Sequence, residues 1–230
     1  MAENNINIEN KIILDLGCGS GINSVSLSFL NPKKIVCIDY DNNSVECTKR
    51  IINTYGNKNV EYECIQTSIL DDNFISQYLE TFDFIYCFGV LHHTGNMYQA
   101  INNTFKLIKQ NCKLYLGLYH QFNTLERDLE NKTEYFYGNK SVKNYLICDY
   151  MAVLKNFHVK KINDLQNYSW NIINQRGMNR YHDCVDWLGG FPYEVINVNI
   201  LNNICIKSNI SLINHIEKIE AVNTFILIKN

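Results

Sequence analysis

The feature that most constrains this chain is a short apolar run that leads directly into a glycine-rich segment. Residues 11–14 read Lys-Ile-Ile-Leu, and residues 15–21 read Asp-Leu-Gly-Cys-Gly-Ser-Gly. An apolar run of this length is typical of a buried strand. Glycines allow the positive φ angles of a tight turn and a close approach of the backbone to a ligand. The sequence therefore predicts a strand, a tight loop and the N-terminus of a helix, which together suit a nucleoside-containing ligand.

A dinucleotide site is the first alternative for this loop. Its fingerprint, G-x-G-x-x-G, places a third glycine three positions after the second. Here the second glycine is Gly19, the required position holds Ile22, and the third glycine comes early, at Gly21. An acidic residue at the lip of the loop, Asp15, also argues against a pyrophosphate, because a carboxylate repels it but attracts a ligand that carries an ammonium and a sulfonium. S-adenosylmethionine is such a ligand, and we expect it in preference to NAD.

A second acidic residue follows the loop at an informative distance. Asp39 ends the apolar run 34–39, about twenty positions after the glycines, where a carboxylate accepts hydrogen bonds from ribose hydroxyls. The stretch from Asp15 to Asp39 resembles motif I and the second acidic position of class I S-adenosylmethionine-dependent methyltransferases. The resemblance implies that the loop holds the methionine part of the cofactor and Asp39 the ribose, whereas the alternative is a tight turn without a ligand. The cofactor-binding residues expected in this way are Asp15, Gly17, Cys18, Gly19, Gly21, Asp39, Tyr40, Ser68, Ile69 and Phe88.

Apolar runs and helix-length segments alternate along the first half of the chain. The runs cover residues 11–17, 34–40, 60–66, 82–89 and 112–119, and the helical segments cover 21–30, 43–55, 72–80 and 97–110. This alternation predicts a parallel α/β sheet whose ligand lies over the carboxyl ends of the strands. A helix at 195–208 and strands at 210–216 and 223–229 close the chain as in the methyltransferase fold. We therefore predict a Rossmann-like seven-stranded methyltransferase sheet with helices on both faces and an antiparallel last strand.

The alternation stops between residues 121 and 192. Residues 124–134 and 143–157 have helical spacing, and the excursion is too long for an ordinary loop. We predict a helical cap at 121–192 that binds the acceptor, inserted after the fifth strand of a cofactor-binding core at 1–120 and 193–230. An insertion without a role in the reaction is the alternative.

Composition limits the partners. The 230 residues are 46% hydrophobic and carry a net charge of −2, so one compact enzyme is expected, with no general attraction for nucleic acid or an anionic membrane. Nine cysteines without a C-x-x-C spacing indicate buried thiols in a reducing compartment, and we expect a cytoplasmic protein. No apolar run reaches membrane-spanning length, and a homo-oligomer is compatible with the sequence.

The end of the third strand is expected to contact the adenine. By the resemblance, Ser68 stands where many family members have an acidic residue bound to the adenine amino group, and the main-chain N–H of Ile69 faces adenine N1. An ordinary turn serine is the alternative for Ser68.

Two histidines follow the fourth strand. The loop from Val90 to Asn96 comes directly after Phe88, and in the resembling family this loop borders both the sulfonium and the acceptor. An imidazole titrates near neutrality, which suits a general base that takes the proton of an acceptor hydroxyl. We predict His93 as this base and His92 as an acceptor-binding residue, with helix capping or interior packing as the alternative for His92.

A third group of candidates lies just before the chain returns to the core. On a helix, His182 and Asp186 share a face and Asp183 lies beside them. These three are candidate catalytic residues that orient the acceptor, assist His93 or, as a less favoured alternative, bind a divalent cation. An N-cap and salt-bridge network with Arg176 or Arg180 is the other alternative. Arg180, Trp187 and Phe191 are expected to bind the acceptor, and core burial is the alternative for the two aromatic residues.

The sequence thus predicts a methyltransferase that converts S-adenosylmethionine to S-adenosylhomocysteine. The histidine loop, and the absence of a Pro-Pro-Tyr or Pro-Pro-Phe segment after the fourth strand, favour an oxygen acceptor. A glycan or a nucleotide-linked sugar is the first choice and a phenolic metabolite the second, while a tRNA is disfavoured by the charge. An NAD-dependent dehydrogenase and a noncatalytic binding module are the alternatives from other classes.

Overall fold

The computed structural model describes residues 6–120, 125–155, 180–217 and 222–230, with the backbone alone at 151–155 and at residue 180. The chain divides into two compact units. The first consists of Met1–Gln121 and Glu194–Asn230, and the second of Phe122–Tyr193.

In its described part, the first unit contains a seven-stranded sheet. The strands are β1 (Ile12–Leu16), β2 (Lys34–Asp39), β3 (Glu61–Gln66), β4 (Phe82–Phe88), β5 (Ile108–Leu118), β6 (Ile210–Ile216) and β7 (Asn223–Lys229). The helices of this unit are α1 (Ile22–Ser28), α2 (Asn42–Tyr55), α3 (Asp72–Gln77), α4 (Met97–Leu107) and α8 (Val198–Lys207), and a 3₁₀ turn covers Leu91–His93. The strand order is β3-β2-β1-β4-β5-β7-β6.

The predicted fold class is confirmed. Strands β1 to β5 are parallel, and β7 lies antiparallel between β5 and β6. Side chains of successive residues enter different cores, because they point to opposite faces of a strand. Leu14 and Val36 belong to one buried cluster, whereas Ile13 and Ile35 belong to the other. Both faces of the sheet are therefore covered.

The fifth strand begins earlier than the sequence predicts. The expected start is residue 112, but β5 begins at Ile108, directly after α4, and Ile108 already pairs with Phe82. The register then shifts between Phe82 and Phe84, and Asn111 has a φ of 58°. This irregularity interrupts the apolar alternation of the strand. For that reason, the sequence pattern assigns the first residues of β5 to the end of the preceding helix.

Three helices are described in the second unit: α5 (Leu125–Tyr137), α6 (Lys140–Lys155) and α7 (Arg180–Gly189). They pack around the buried side chains of Leu146, Ile147, Cys184 and Leu188. The expected helices at 124–134 and 143–157 correspond to α5 and α6, but their outer limits, residue 124 and residues 156–157, lie outside the described residues. In the described part of the chain, no helix has the length and hydrophobicity needed to cross a membrane.

We expect Asn103 to stabilise the fold of the first unit. Its fully buried amide donates to the carbonyl oxygen of Ile69 at 2.9 Å and accepts from Gln99 and Lys106. Because Asn103→Ala leaves a buried carbonyl without its donor, the free energy of unfolding should fall by about 2 kcal/mol. Urea denaturation measures this difference.

The matched control is Asn102→Ala on the same helix. Its half-buried side chain makes no hydrogen bond to any described residue, and both substitutions gain the same helix propensity. Equal losses in the two variants would contradict the role given to Asn103.

Candidate functional site

The glycine loop between β1 and α1 is fixed to its neighbours by main-chain contacts. The N–H groups of Gly17 and Cys18 donate to the carbonyl oxygen of Ile38 at 2.8 and 2.9 Å. Gly21 has a φ of 83°, and a Cβ there would lie 2.8 Å from the Cα of Thr48. Only glycine fits a position that combines this φ with this close approach. The loop is therefore packed tightly on β2 and α2.

Gly19 borders open space, in contrast to its neighbours. A Cβ on Gly19 would meet no heavy atom within 4 Å. The Thr48 hydroxyl donates to its carbonyl oxygen at 3.0 Å, and its N–H donates to the Oδ2 of Asp39 at 2.9 Å. Gly89, at the end of β4, is open in the same way and also has a positive φ. Backbone thus lines an accessible space at the carboxyl ends of β1 and β4, where ligands bind in sheets of this type.

Asp39 lies where a ribose-binding carboxylate is expected. Its Oδ2 accepts from Gly19, and its Oδ1 accepts from the N–H of Asp41 at 3.0 Å. A carboxylate oxygen has room for a further donor, so both oxygens can still accept a hydroxyl. Tyr40 follows with its side chain 80% exposed.

Asp15, the acidic residue predicted at the lip of the loop, is a buried side chain. Asp15 is only 1% exposed, and the Ser24 hydroxyl donates to its Oδ2 at 2.5 Å. The side chain alternates with Leu14 and Leu16 along β1, so it points to the face that α1 covers. Burial raises the pKa of Asp15 from 3.8 to about 6. Asp15 places a titratable carboxyl beneath the loop rather than at its edge.

Cys18 and the turn after β3 complete the predicted cofactor residues. Cys18 is buried, and burial raises the pKa of its thiol to about 12, so the loop presents its backbone rather than a thiolate. The Ser68 hydroxyl oxygen accepts from the N–H of Leu70 at 3.1 Å and keeps its own hydrogen for another acceptor. Ile69 is buried, and its carbonyl oxygen accepts from Asn103.

The two predicted histidines of the loop after β4 have different environments. His92 is fully buried, its Nδ1 accepts from the N–H of Tyr119 at 3.1 Å, and its ring centroid lies 3.9 Å from that of Tyr119. These contacts correspond to the interior alternative for His92. His93 is partly exposed, with its ring edge-on to His92 and to Tyr119, at centroid distances of 4.4 and 5.5 Å. Phe88 is 37% exposed and covers Gly117, where a Cβ would lie 2.3 Å from its ring.

Three residues near this loop were not predicted from the sequence: Tyr119, His120 and Glu194. Glu194 donates its N–H to the carbonyl oxygen of His92 at 3.0 Å, and its carboxylate accepts from the N–H of Met97 at the start of α4. Burial raises the pKa of this carboxyl. His120 lies 3.0 Å, through its Nδ1, from the carbonyl oxygen of Ile196. Tyr119 and His120 directly follow β5, and this position at the carboxyl end of a strand could have marked them as candidates. The contact of Glu194 with a loop about one hundred residues earlier leaves no signal in the sequence.

The second unit holds the third group of candidates. His182 and Asp186 lie on α7 with exposed side chains, as their spacing predicts, and Asp183 between them is half-buried. Arg180 begins α7, and its side chain is outside the described residues. Within the described ranges, no cluster of three or more His, Cys, Asp or Glu side chains could hold a metal ion.

Both aromatic candidates of the second unit contact other rings. Trp187 lies against Tyr150 and Tyr193, at centroid distances of 6.3 and 6.2 Å. Phe191 lies 4.8 Å from Phe136, which is half-exposed. Trp187 also packs against the buried cluster of the second unit.

Lys132 is a buried cation that the sequence does not reveal. Its side chain is fully buried, its Nζ lies 4.1 Å above the ring of Trp187 and 4.9 Å from that of Tyr193, and it donates to the carbonyl oxygen of Trp187. Burial lowers the pKa of Lys132 to about 8, although the negative charges of Asp128 and Asp186 act to raise it. Cation–π contacts of this kind compensate in part for the lost hydration.

We expect Asp15 to make the stability of the protein fall as the pH rises. The pKa is about 6 in the folded state and 3.8 ordinarily, so between these values the folded chain binds a proton that the unfolded chain does not. The contribution to the free energy of unfolding is therefore full below about pH 4 and declines through pH 6, by up to about 3 kcal/mol. Asp15→Asn should remove this decline, as measured by urea unfolding at pH 4.5, 5.5 and 7.

Asp41→Asn is the control with the opposite sign. Asp41 caps α2, and the hydrogen bonds that it accepts from Asn43 and Ser44 lower its pKa. Its stabilisation is present above the ordinary pKa and is lost as the pH falls. A profile of Asp15→Asn that runs parallel to that of the unsubstituted protein would contradict the assignment.

Comparison with known proteins agrees with this architecture. Residues 14–114, less than half of the chain, match a family described as a methyltransferase domain. A tRNA U34 carboxymethyltransferase of Nautilia profundicola is 34% identical over 88 residues, which are 38% of this chain and 27% of that protein. A ubiquinone biosynthesis O-methyltransferase of Coxiella burnetii is 26% identical over 144 residues, which are 63% of this chain and 56% of that protein. The chain thus spans little more than half the length of the Coxiella protein and about a quarter of the length of the Nautilia protein.

Solved structures share the fold at low sequence identity. The crystal structure of magnesium protoporphyrin IX methyltransferase from Synechocystis PCC 6803 with bound SAH superposes with a TM-score of 0.57 and 13% identity, over 100% of this chain and 78% of that one. The strand order and this superposition show a Rossmann-like methyltransferase fold, and residues 14–114 are similar to the methyltransferase domain family.

Proposed function

We propose that the protein transfers the methyl group of S-adenosylmethionine to a hydroxyl oxygen of a small or medium-sized acceptor. The cofactor is S-adenosylmethionine, and the product is S-adenosylhomocysteine. The observation that carries the proposal is the hydrogen bond between Gly19 and Asp39, next to open space at the carboxyl ends of β1 and β4. The family match and the fold support the reaction class.

The cofactor residues divide by the part of the ligand that they suit. Asp39 has acceptor capacity left for the ribose hydroxyls, and Tyr40 offers an exposed ring beside it. Ser68 and the N–H of Ile69 suit the polar edge of adenine, and Phe88 borders the methyl group. For Asp39, Ser68 and Ile69, this division is the one that the resemblance to class I methyltransferases implies.

Asp15 suits a cationic ligand in particular. A buried carboxylate is costly above its pKa of about 6, and the ammonium and sulfonium of S-adenosylmethionine offset that cost through their charge. A pyrophosphate would add negative charge above the same carboxylate. The contrast supports S-adenosylmethionine over NAD.

His93 is the proposed general base. As the acceptor oxygen forms a bond to the methyl carbon, the bond between that carbon and the sulfur breaks, and the imidazole takes the hydroxyl proton. Tyr119 and the buried His92 contact the ring of His93 and limit its orientation. The remaining requirement is alignment of oxygen, carbon and sulfur with water excluded.

We assign acceptor recognition to the second unit. His182, Asp183 and Asp186 offer polar groups on α7, and Arg180, Trp187 and Phe191 are the further candidates there. A glycan or nucleotide-linked sugar fits such a mixture of charged, polar and aromatic side chains, and the buried thiols are compatible with a cytoplasmic enzyme. A phenolic acceptor is the second candidate, favoured by the likeness to the Coxiella O-methyltransferase over 63% of this chain.

Replacing Asp39 with Asn should weaken cofactor binding. Asn keeps an oxygen for the N–H of Gly19 but removes the charge, and a hydrogen bond to a charged group is worth about 1.5–3 kcal/mol. Calorimetric titration should show S-adenosylmethionine and S-adenosylhomocysteine binding weakened by about tenfold to a hundredfold.

The matched control for this titration is Asp41→Asn, two residues further on, which keeps an N-cap side chain. It should bind both ligands as tightly as the unsubstituted protein. NAD is titrated in parallel, and binding of NAD alone would overturn the proposed cofactor.

Replacing His93 with Ala should lower turnover by about a hundredfold or more, because a general base contributes roughly 10²–10⁴ to the rate. Affinity for S-adenosylmethionine should change by less than about twofold, since the imidazole acts on the acceptor. Methyl transfer from labelled cofactor is measured with a panel of sugars, nucleotide-linked sugars and phenols.

His215→Ala on β6 is the control for the loss of a histidine. This side chain stacks on Phe225 at 4.7 Å and lies outside the proposed site, so turnover should be retained. Equal losses of turnover and of cofactor affinity in His93→Ala would assign His93 to the cofactor pocket or to packing instead.

A further inference from the structure

We propose that Cys37 and Cys64 form a redox-active pair that hydrogen peroxide converts to a disulfide. Neither thiol has a role in the proposed methyl transfer. Cys37 lies on β2 and Cys64 on β3, two neighbouring parallel strands, and the register pairs them directly. The pair lies on the face of the sheet that α1 and α2 cover, because Cys37 is part of the second buried cluster and Cys64 packs against it.

The register gives the two Cα atoms a separation that a disulfide can span. Paired strands lie about 4.8 Å apart, and bridged cysteines have Cα atoms roughly 4.4–6.8 Å apart. Side chains at paired positions point to the same face of the sheet, so the two thiols are neighbours on the covered face. Formation of the bridge therefore needs no movement of one strand along the other.

The two thiols differ in exposure and in charge. Cys64 is partly exposed on β3, which is the edge strand of the described sheet, whereas Cys37 is fully buried. The neighbouring thiol of Cys37 and the charge of Lys49 lower the pKa of Cys64, while the neighbouring thiol of Cys64 and burial raise the pKa of Cys37. Because the thiolate is the reactive form, Cys64 is the residue that peroxide reaches first and Cys37 is the resolving thiol.

The chemistry balances with peroxide as the oxidant. The Cys64 thiolate attacks one oxygen of hydrogen peroxide, so that the S–O bond forms, the O–O bond breaks and hydroxide leaves, giving a sulfenic acid. The sulfur of Cys37 then attacks the sulfenic sulfur, and its proton leaves with the hydroxyl group as water. Two thiols are oxidised and one peroxide is reduced to two waters.

The pair is connected to the glycine loop. The Sγ of Cys37 lies 3.4 Å from the Oγ of Ser24, whose hydroxyl donates to the buried carboxyl of Asp15. Turning Cys37 toward Cys64 breaks the first of these contacts, and Asp39 lies two residues beyond Cys37 on the same strand. Oxidation should therefore weaken cofactor binding, and this consequence alone depends on the proposed function.

The test treats the purified protein with hydrogen peroxide, blocks the remaining thiols with an alkylating reagent and maps the peptides by mass spectrometry. A peptide cross-linked between Cys37 and Cys64 is expected in the unsubstituted protein. Cys64→Ser should abolish it, and Cys37→Ser should leave a sulfenic acid at Cys64 that dimedone captures. Cys37→Ala serves the same purpose if the serine disturbs the buried face.

Cys47→Ser on α2 is the matched control, because Cys47 is also partly exposed but has no strand partner, and this variant should still form the bridge. Cross-links at other positions, or no bridge while the protein stays folded, would overturn the proposal.

Calorimetry then compares S-adenosylmethionine binding before and after oxidation. Equal affinity would overturn the link to the cofactor while the bridge stands. A reduced protein that binds no S-adenosylmethionine yet forms the bridge would refute the proposed function and not the redox pair.

Discussion

The hydrogen bonds between the glycine loop and the end of β2 are the contacts on which the candidate site depends. Gly17 and Cys18 donate to Ile38, and Gly19 donates to Asp39, so one strand end fixes three consecutive residues of the loop. With these donors satisfied, the loop needs no ligand to hold its shape. Gly19 then faces open space, while Gly17 and Gly21 lie against Val90 and Thr48. The same turn is thus closed on its protein side and open on the side where a ligand would lie.

The buried carboxyl of Asp15 shows how function and stability conflict in this unit. A neutral side chain in its place would avoid the cost of a charge that is 1% exposed and held by a single serine hydroxyl. Carboxyls whose pKa is raised by burial are concentrated at functional sites, and a ligand of opposite charge would compensate for the cost of this one. The position of Asp15 beneath a glycine loop is consistent with a cationic cofactor in a way that a loop built only for a turn is not.

The parts of the fold that the sequence predicts are those governed by local patterns. The limits of β6 and β7 agree with the predicted 210–216 and 223–229, because each is an apolar or alternating run with clear ends. The start of β5 was placed four residues late, because the register shift opposite Phe82 interrupts its pattern. The burial of Asp15 has no local signal in the sequence, since the helix that covers it is positioned by packing rather than by any neighbour in the sequence.

The histidine loop illustrates why a site is harder to predict than a sheet. The tandem histidines after β4 are visible in the sequence, but their division into a buried and a partly exposed ring depends on Tyr119 at the end of β5 and on Glu194, where the chain returns from the second unit. The carboxylate of Glu194 also satisfies the first N–H of α4, the helix that begins just after the loop. Glu194 therefore holds the loop through its main-chain N–H and the start of α4 through its carboxylate. The orientation of His93 thus depends on a segment that joins the core about one hundred residues later in the chain. Such a contact leaves no periodicity or spacing in the sequence, and only the folded chain reveals it.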